Sequence, residues 1–294
     1  ALAEKHAIDL IVNCAAYTAV DRAESDAETA AKINVQGPEV LAGVARERGI
    51  GMIHISTDYV FDGESCHPLK EDRPTAPQGV YGRTKLAGEQ AIEASGCNAC
   101  VIRTAWLYSE YGNNFVKTML RLGRERDELN VVYDQIGTPT YATDLARLGV
   151  VGVPVVEFPV VFLVLVRIRD AQPVQPVFVV RLRLLVGGLF GECRHRDLGD
   201  VHRLAERGVS GFEVYHFSDE GAISWYDFAK AVFALAGIDI RVGAIETAAY
   251  PTPARRPAYS VLAKDKIREA GVRVPYWLDS LRECMAILSV PTEK

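Results

Sequence analysis

Short apolar runs alternate with longer amphipathic stretches through the first half of the chain, and no other feature narrows the fold as much. The runs at 8–14 (IDLIVNC), 51–56 (GMIHIS) and 100–105 (CVIRTA) are each followed by a stretch with apolar residues at helical spacing, at 25–48, 81–94 and 114–125. A short continuous apolar run has no polar face to turn to water, so it reads as a parallel strand buried on both sides. Parallel neighbours cannot be joined by a tight turn and need a crossover, usually a helix. The pattern therefore predicts an α/β fold, a doubly wound parallel sheet with helices on both faces. Past residue 212 the patterning resumes with a strand in FEVYHFS and a helix in SWYDFAKAVFALAG, capped by Ser224 and ended by Gly237. A smaller C-terminal α/β domain is expected there.

With 294 residues, 49% of them apolar and 24% charged, the chain can bury a full core and has neither a disordered nor a fibrous composition. The formal charge of -5, without a dense Lys/Arg patch, argues against nucleic acid as a partner. Residues 150–186 are rich in valine but broken by Pro154, Pro159, Pro173, Pro176 and several arginines. No uncharged run there approaches the roughly 20 residues of a membrane span, so no membrane partner is expected. Cys14, Cys66, Cys97, Cys100, Cys193 and Cys284 show no disulfide-framework spacing, which fits a reducing cytoplasm. The single Cys97/Cys100 pair lacks the second pair a zinc site needs and reads as ordinary thiols.

Two short stretches carry chemistry, STDYVFDG at 56–63 and YGRTK at 81–85. A hydroxyl at the end of a buried strand, as at Thr57, lies at the carboxyl edge of the sheet, where open α/β folds bind ligands. Tyr81 and Lys85 are four apart in a helix and share a face. A fixed cation near a phenol lowers its pKa from about 10 and makes it a usable general acid. Alone, a Tyr and Lys at this spacing occur by chance on many helices. The Thr57 strand end, the βα alternation and the small residues of NCAAYTAVDRAE at an earlier strand end favour an active site. His54 alternates with apolar residues and reads as a satisfied core histidine. By position alone Trp106 reads as a core aromatic, Asp58 as a brace for its loop, and Arg255 and Arg256 as a solvated pair.

The segments NCAAYTAVDRAE, HISTDYVFDG, VYGRTKLAGE, RTAWLY, NNFVKTML, DQIGTPTYATDLA, SWYDFAKAVF and YPTPARRPAYSVL resemble the dTDP-4-dehydrorhamnose reductases, a family of extended short-chain dehydrogenase/reductases. The resemblance spans about 8–146 and 214–284, and the RTAWLY and PTPARRPAYSVL blocks separate it from epimerases that share the Tyr/Lys pair. It implies a Rossmann-like sheet and hydride transfer from NADPH or NADH to the C4 ketone of dTDP-4-dehydro-L-rhamnose. Tyr81, Lys85 and Thr57 would be catalytic, Tyr81 giving the proton and Lys85 lowering its pKa and holding the nicotinamide ribose. Ala15, Ala16, Tyr17 and Thr18 would pass along the cofactor. Thr57, Asp58 and Trp106 would contact the sugar, and Arg255 and Arg256 the diphosphate. The dTDP-sugar would be the partner, a homodimer the assembly, and Mg2+ a further ion to consider.

The chain departs from that family pattern in two places. The family begins with a strand and a glycine-rich turn that seats the cofactor pyrophosphate. No such turn occurs here, so the expected sheet lacks its first βαβ unit. The other departure is 149–211, which follows no period and is either a genuine inserted subdomain or, as the intact flanking motifs favour, text read in a wrong frame or strand, in which case it is expected to be poorly ordered or artificially packed. The expected organisation is thus a truncated dinucleotide-binding domain at 1–148, a Val-rich insertion at 149–211 and a substrate domain at 212–294. Two other functions suit the same fold: a sugar-nucleotide epimerase or dehydratase, which would rearrange a keto-sugar without net cofactor oxidation, and a non-catalytic regulatory subunit, which would co-purify with an enzyme.

Overall fold

The computed structural model describes residues 10–151, 161–164, 179–182 and 210–289, with backbone only at 148–151, 161–164 and 179–182. In chain order the larger elements are β1 (Leu10–Asn13), α1 (Gly37–Arg48), β2 (Gly51–Thr57), α2 (Val80–Ser95), β3 (Ala99–Thr104), α3 (Phe115–Glu125), β4 (Glu128–Val132) and α4 (Ala142–Val151). They continue with β5 (Val161–Val164), β6 (Val179–Leu182), β7 (Phe212–His216), α5 (Trp225–Ala236), β8 (Arg241–Ile245) and α6 (Trp277–Leu288). The main sheet has six strands in the order β7-β3-β2-β1-β5-β6. Pairing is parallel throughout except between β5 and β6. β4 and β8 form a separate parallel pair.

Successive side chains of a strand point to opposite faces, and both faces are covered. Ile11, Met52 and Ala99 pack with Ala42 and Ala45 of α1 and Ile92 of α2. Their neighbours Val12, Ile53 and Ile102 pack on the other face with Leu145 of α4, Phe217 and Ile267. A third core joins α3, α5 and α6 through Val116, Leu120, Phe228, Val232 and Leu281. At the start of α5, Ser224 and Asp227 form a reciprocal capping box, and Gly237 closes the helix in the left-handed conformation, as the sequence predicts.

Two expectations need amendment. The helix expected over 25–48 is broken into Ala27–Ala31, a π-helical turn at Lys32–Gln36 and α1. Most of the expected insertion at 149–211 lies outside the described residues, but 161–164 and 179–182 within it are strands, and β5 lies directly beside β1. With β5 present, β1 is hydrogen-bonded on both edges.

Under the sheet, Glu89 of α2 accepts from Arg103 of β3, with Arg103 Nη2 2.7 Å from Glu89 Oε2, and from the Ser56 hydroxyl. Both charged side chains are almost fully enclosed. Removing one member of a buried, hydrogen-bonded pair leaves the other charge uncompensated. Glu89→Ala is expected to lower stability by about 3–5 kcal/mol, read as a fall in the denaturant midpoint at neutral pH. A loss within 1 kcal/mol, the range of an exposed pair, would show that Arg103 finds another partner.

Candidate active site at the carboxyl edge of the sheet

β1, β2 and β3 run parallel, so their carboxyl ends share one edge, and the register sets Asn13 opposite His54 and Thr57 opposite Thr104. Immediately after β2 the chain turns through a single 3-10 turn, Asp58–Val60, in which Thr57 Oγ1 accepts from Tyr59 N at 3.2 Å. The first turn of α2 packs on that turn. Gly82 makes the approach possible, because a Cβ there would strike the Tyr59 carbonyl. Tyr81 is thereby set edge-on against Tyr59, ring centroids 5.5 Å apart.

Thr57 is the hub of the polar contacts. Its hydroxyl donates to Asp58 Oδ1 at 2.9 Å and also acts on the Tyr81 phenol. Burial pushes the Tyr81 phenol above its ordinary value near 10, with Thr57 pulling it down and Asp58 and Tyr59 adding to the rise. Lys85 is not among the groups acting on Tyr81: its Nζ is turned to the Ile55 carbonyl at 2.7 Å and to His54 Nε2 at 3.2 Å. The lowering of the phenol expected from Lys85 is therefore not present in this arrangement. Burial also brings the Lys85 amine down to about 8, against the upward pull of Glu89 and Cys14.

The strand-end segment after β1 is clipped to α2 by a residue the sequence reading overlooked. Asn34, aimed inward from the π-helical turn, accepts from Tyr17 N at 2.8 Å and donates to Thr84 Oγ1 at 3.1 Å. An asparagine in a helical stretch carries no signal of this by itself. Ala15 is buried, Ala16 half-buried, and Thr18 exposed, while the buried Tyr17 donates its hydroxyl to Asp26. Ala15 N, Lys85 and Tyr81 all belong to this edge, and their N–H and O–H groups are the kind that hold ribose hydroxyls and an amide. The donor set thus fits a nicotinamide nucleotide. Among the described residues no group of three or more His, Cys, Asp or Glu side chains is placed to hold a metal ion, so the Mg2+ expectation finds no ligands there.

Trp106 follows β3 and is the one non-glycine described residue with positive φ, at 49°. Such a conformation is held only when the surroundings impose it. Here Trp225 stacks face to face on it, centroids 3.5 Å apart and planes 10° apart, and Gly137 leaves no room for a Cβ against its ring. Gly137 also abuts Ser260, a fully buried hydroxyl from the YSVL stretch that acts on the Asp58 carboxyl. Trp225 and Ser260 were not singled out from sequence, since one follows a helix cap and the other sits in an apolar stretch.

Arg255 is exposed and Arg256 half-buried, and each is paired with a carboxylate. Arg256 Nη2 is 2.5 Å from Asp21 Oδ2 and its Nη1 donates to the Tyr59 hydroxyl at 3.3 Å. Arg255 Nη2 is 2.6 Å from Glu64 Oε1. Both border a cavity of about 340 Å³ that Asp134, Thr247 and Tyr250 also line.

The Asp58 carboxyl is pushed up from 3.8 to about 6 by burial, opposed by hydrogen bonds from Thr57 and Ser260. A carboxyl raised on folding stabilises fully below its unfolded value and loses that contribution as pH rises through the folded value. Asp58→Asn cannot ionise, so relative to it the native protein is expected to lose on the order of 2–3 kcal/mol between about pH 4 and pH 7. Denaturant melts of both proteins at the two pH values check this; parallel stabilities would place the Asp58 carboxyl back in the ordinary range.

Known proteins resemble this chain in both sequence and fold. The family model of the RmlD substrate binding domain matches residues 1–153 and 197–290. A dTDP-4-dehydrorhamnose reductase of Sinorhizobium fredii is 41% identical over 279 residues, 93% of this chain and 78% of that protein. Among solved structures, a dTDP-4-dehydrorhamnose reductase of Clostridium acetobutylicum superposes with a TM-score of 0.77 at 36% identity, covering 98% of this chain and 84% of the other. A dTDP-4-dehydrorhamnose reductase of Bacillus anthracis in complex with NADP does so at 0.75 and 31%, covering 97% and 83%.

Proposed function

Because the chain belongs to the dTDP-4-dehydrorhamnose reductase family, as the match to the RmlD substrate binding domain model shows, we propose that it reduces the C4 ketone of dTDP-4-dehydro-L-rhamnose to dTDP-L-rhamnose with NADPH or NADH. The observation that carries the reading is the gathering of Tyr81, packed edge-on against Tyr59, with the Thr57–Asp58 hydrogen bond at the carboxyl end of β2. The family match favours net reduction over the epimerase or dehydratase alternative and over a regulatory subunit.

The nicotinamide, when bound, supplies the hydride that reaches C4. The chain's own residues supply the proton and the setting. Tyr81 gives its phenolic proton to the ketone oxygen, so hydride and proton together complete the alcohol. Thr57 turns its hydroxyl from Asp58 to the same oxygen and stabilises the negative charge that builds there. Ala15, Ala16, Tyr17 and Thr18 border the nucleotide, and Lys85 offers its amine to the nicotinamide ribose. Trp106, locked by Trp225, forms a wall of the sugar site. Arg255 and Arg256 exchange Glu64 and Asp21 for the diphosphate, whose oxygens accept from guanidinium groups in the same two-pronged way as a carboxylate.

The purified chain is expected to oxidise NADPH or NADH in the presence of dTDP-4-dehydro-L-rhamnose. Tyr81→Phe, which keeps the ring and removes the proton, is expected to lower kcat by roughly 100-fold or more. Nucleotide oxidation that persists undiminished in Tyr81→Phe would remove the phenol from the reaction. Conversion of the keto-sugar without nucleotide oxidation would move the chain to the epimerase reading.

A further inference from the structure

Behind Lys85 lies a row of buried polar groups that the reaction above does not use, and its hydrogen bonds admit few arrangements of protons. Ala15 N–H donates to Asn13 Oδ1 at 3.1 Å. Only the oxygen of the amide can accept, so the Asn13 nitrogen must be the atom 2.9 Å from His54 Nδ1. That nitrogen can only donate, and His54 Nδ1 therefore accepts. His54 is fully buried, and burial holds it well below its ordinary 6.5, so its ring is neutral. A neutral imidazole whose Nδ1 accepts carries its one proton on Nε2. Nε2 faces Lys85 Nζ at 3.2 Å. An N–H directed at Nζ requires a lone pair there, so this arrangement takes Lys85 as the uncharged amine, still able to donate to the Ile55 carbonyl.

We infer that His54 and Asn13 are positioning residues that couple the charge on Lys85 to the peptide N–H of Ala15. In the first arrangement Ala15 N–H is taken by Asn13, His54 carries its proton on Nε2, and Lys85 is neutral. In the second, a ligand oxygen takes Ala15 N–H and the Asn13 amide turns over. Its oxygen then accepts from a proton on His54 Nδ1, and Nε2 becomes the acceptor for a Lys85 ammonium. The change takes up one proton from solvent and moves the His54 proton from one ring nitrogen to the other. The groups facing Lys85 are Glu89 of α2, Cys14 beside β1 and His54 of β2. Glu89 favours the charged form and burial disfavours it, bringing the amine to about 8. The two arrangements are therefore close enough in free energy for one hydrogen bond to choose between them. The consequence is that Lys85 gains its charge when a nucleotide is seated beside Ala15. This second half rests on the proposed function, whereas the proton arrangement of the free protein does not.

The test uses the full chain labelled with nitrogen-15 histidine, His54→Gln identifying the His54 signals by their loss. At about pH 9, above the Lys85 value, His54 Nε2 is expected to be the protonated nitrogen in the free protein, and saturating NADP+ is expected to exchange the two roles. Calorimetry at about pH 9, above the Lys85 value, in buffers of different ionisation enthalpy is expected to show uptake of about one proton as NADP+ binds. Asn13→Asp, whose carboxylate can only accept, is expected to show the exchanged tautomer without NADP+. A free protein with the proton on Nδ1, or a saturated complex with it still on Nε2, would overturn the coupling. Absence of any binding heat with NADP+ or NADPH would overturn the proposed cofactor reading and the ligand half of the coupling with it, leaving the free-protein tautomer to judge the other half.

Discussion

The site depends on the parallel pairing of β2 with β1 on one side and β3 on the other. Parallel strands present all their carboxyl ends at one edge, and the register there decides which side chains meet. Asn13 stands beside His54, and Thr57 beside Thr104. A shift of one residue would send His54 to the opposite face and part it from Lys85. The two-sided apolar pattern opposes such a shift, because Ile11 and Val12 must enter different cores. The packing of the sheet and the chemistry of its edge are thus held by one set of contacts.

Burial has opposite uses in the two layers of this edge. Deeper in, Glu89, Arg103 and Ser56 satisfy one another, and the charged pair is kept by its hydrogen bonds. At the edge, burial acts on groups with fewer partners, and it pushes them toward neutrality. The Asp58 carboxyl rises, the Lys85 amine falls, and the Tyr81 phenol keeps its proton. A phenol that keeps its proton is the form a proton donor must have before it acts.

The second half of the molecule acts on the edge at a distance. The loop carrying Arg255 and Arg256 is tied to Asp21, Tyr59 and Glu64, and Ser260 reaches Asp58 from the same strand of chain. Trp225, at the head of α5, fixes the conformation of Trp106 at the end of β3. Each of these contacts joins residues more than a hundred positions apart, and each bears on a group within the candidate site.

What could be read from the chain alone was whatever repeats or clusters locally. Apolar runs alternating with amphipathic stretches identify the parallel sheet, because burial on both faces removes every polar position from a strand. The cap at Ser224 and the stop at Gly237 were legible for the same reason, being interactions within a few residues. Tyr81, Lys85 and Thr57 could be singled out as candidates because residue type and spacing suffice to suggest chemistry and the family blocks around them are specific. The broken helix before α1 and the inward turn of Asn34 were not, since a π-helical turn leaves no periodic trace. Nor could the sequence tell that Lys85 faces His54 and the Ile55 carbonyl instead of Tyr81. Helical spacing places two side chains on one face, but what an amine touches is decided by the strand packed beneath it, and strand register exists only in the folded sheet.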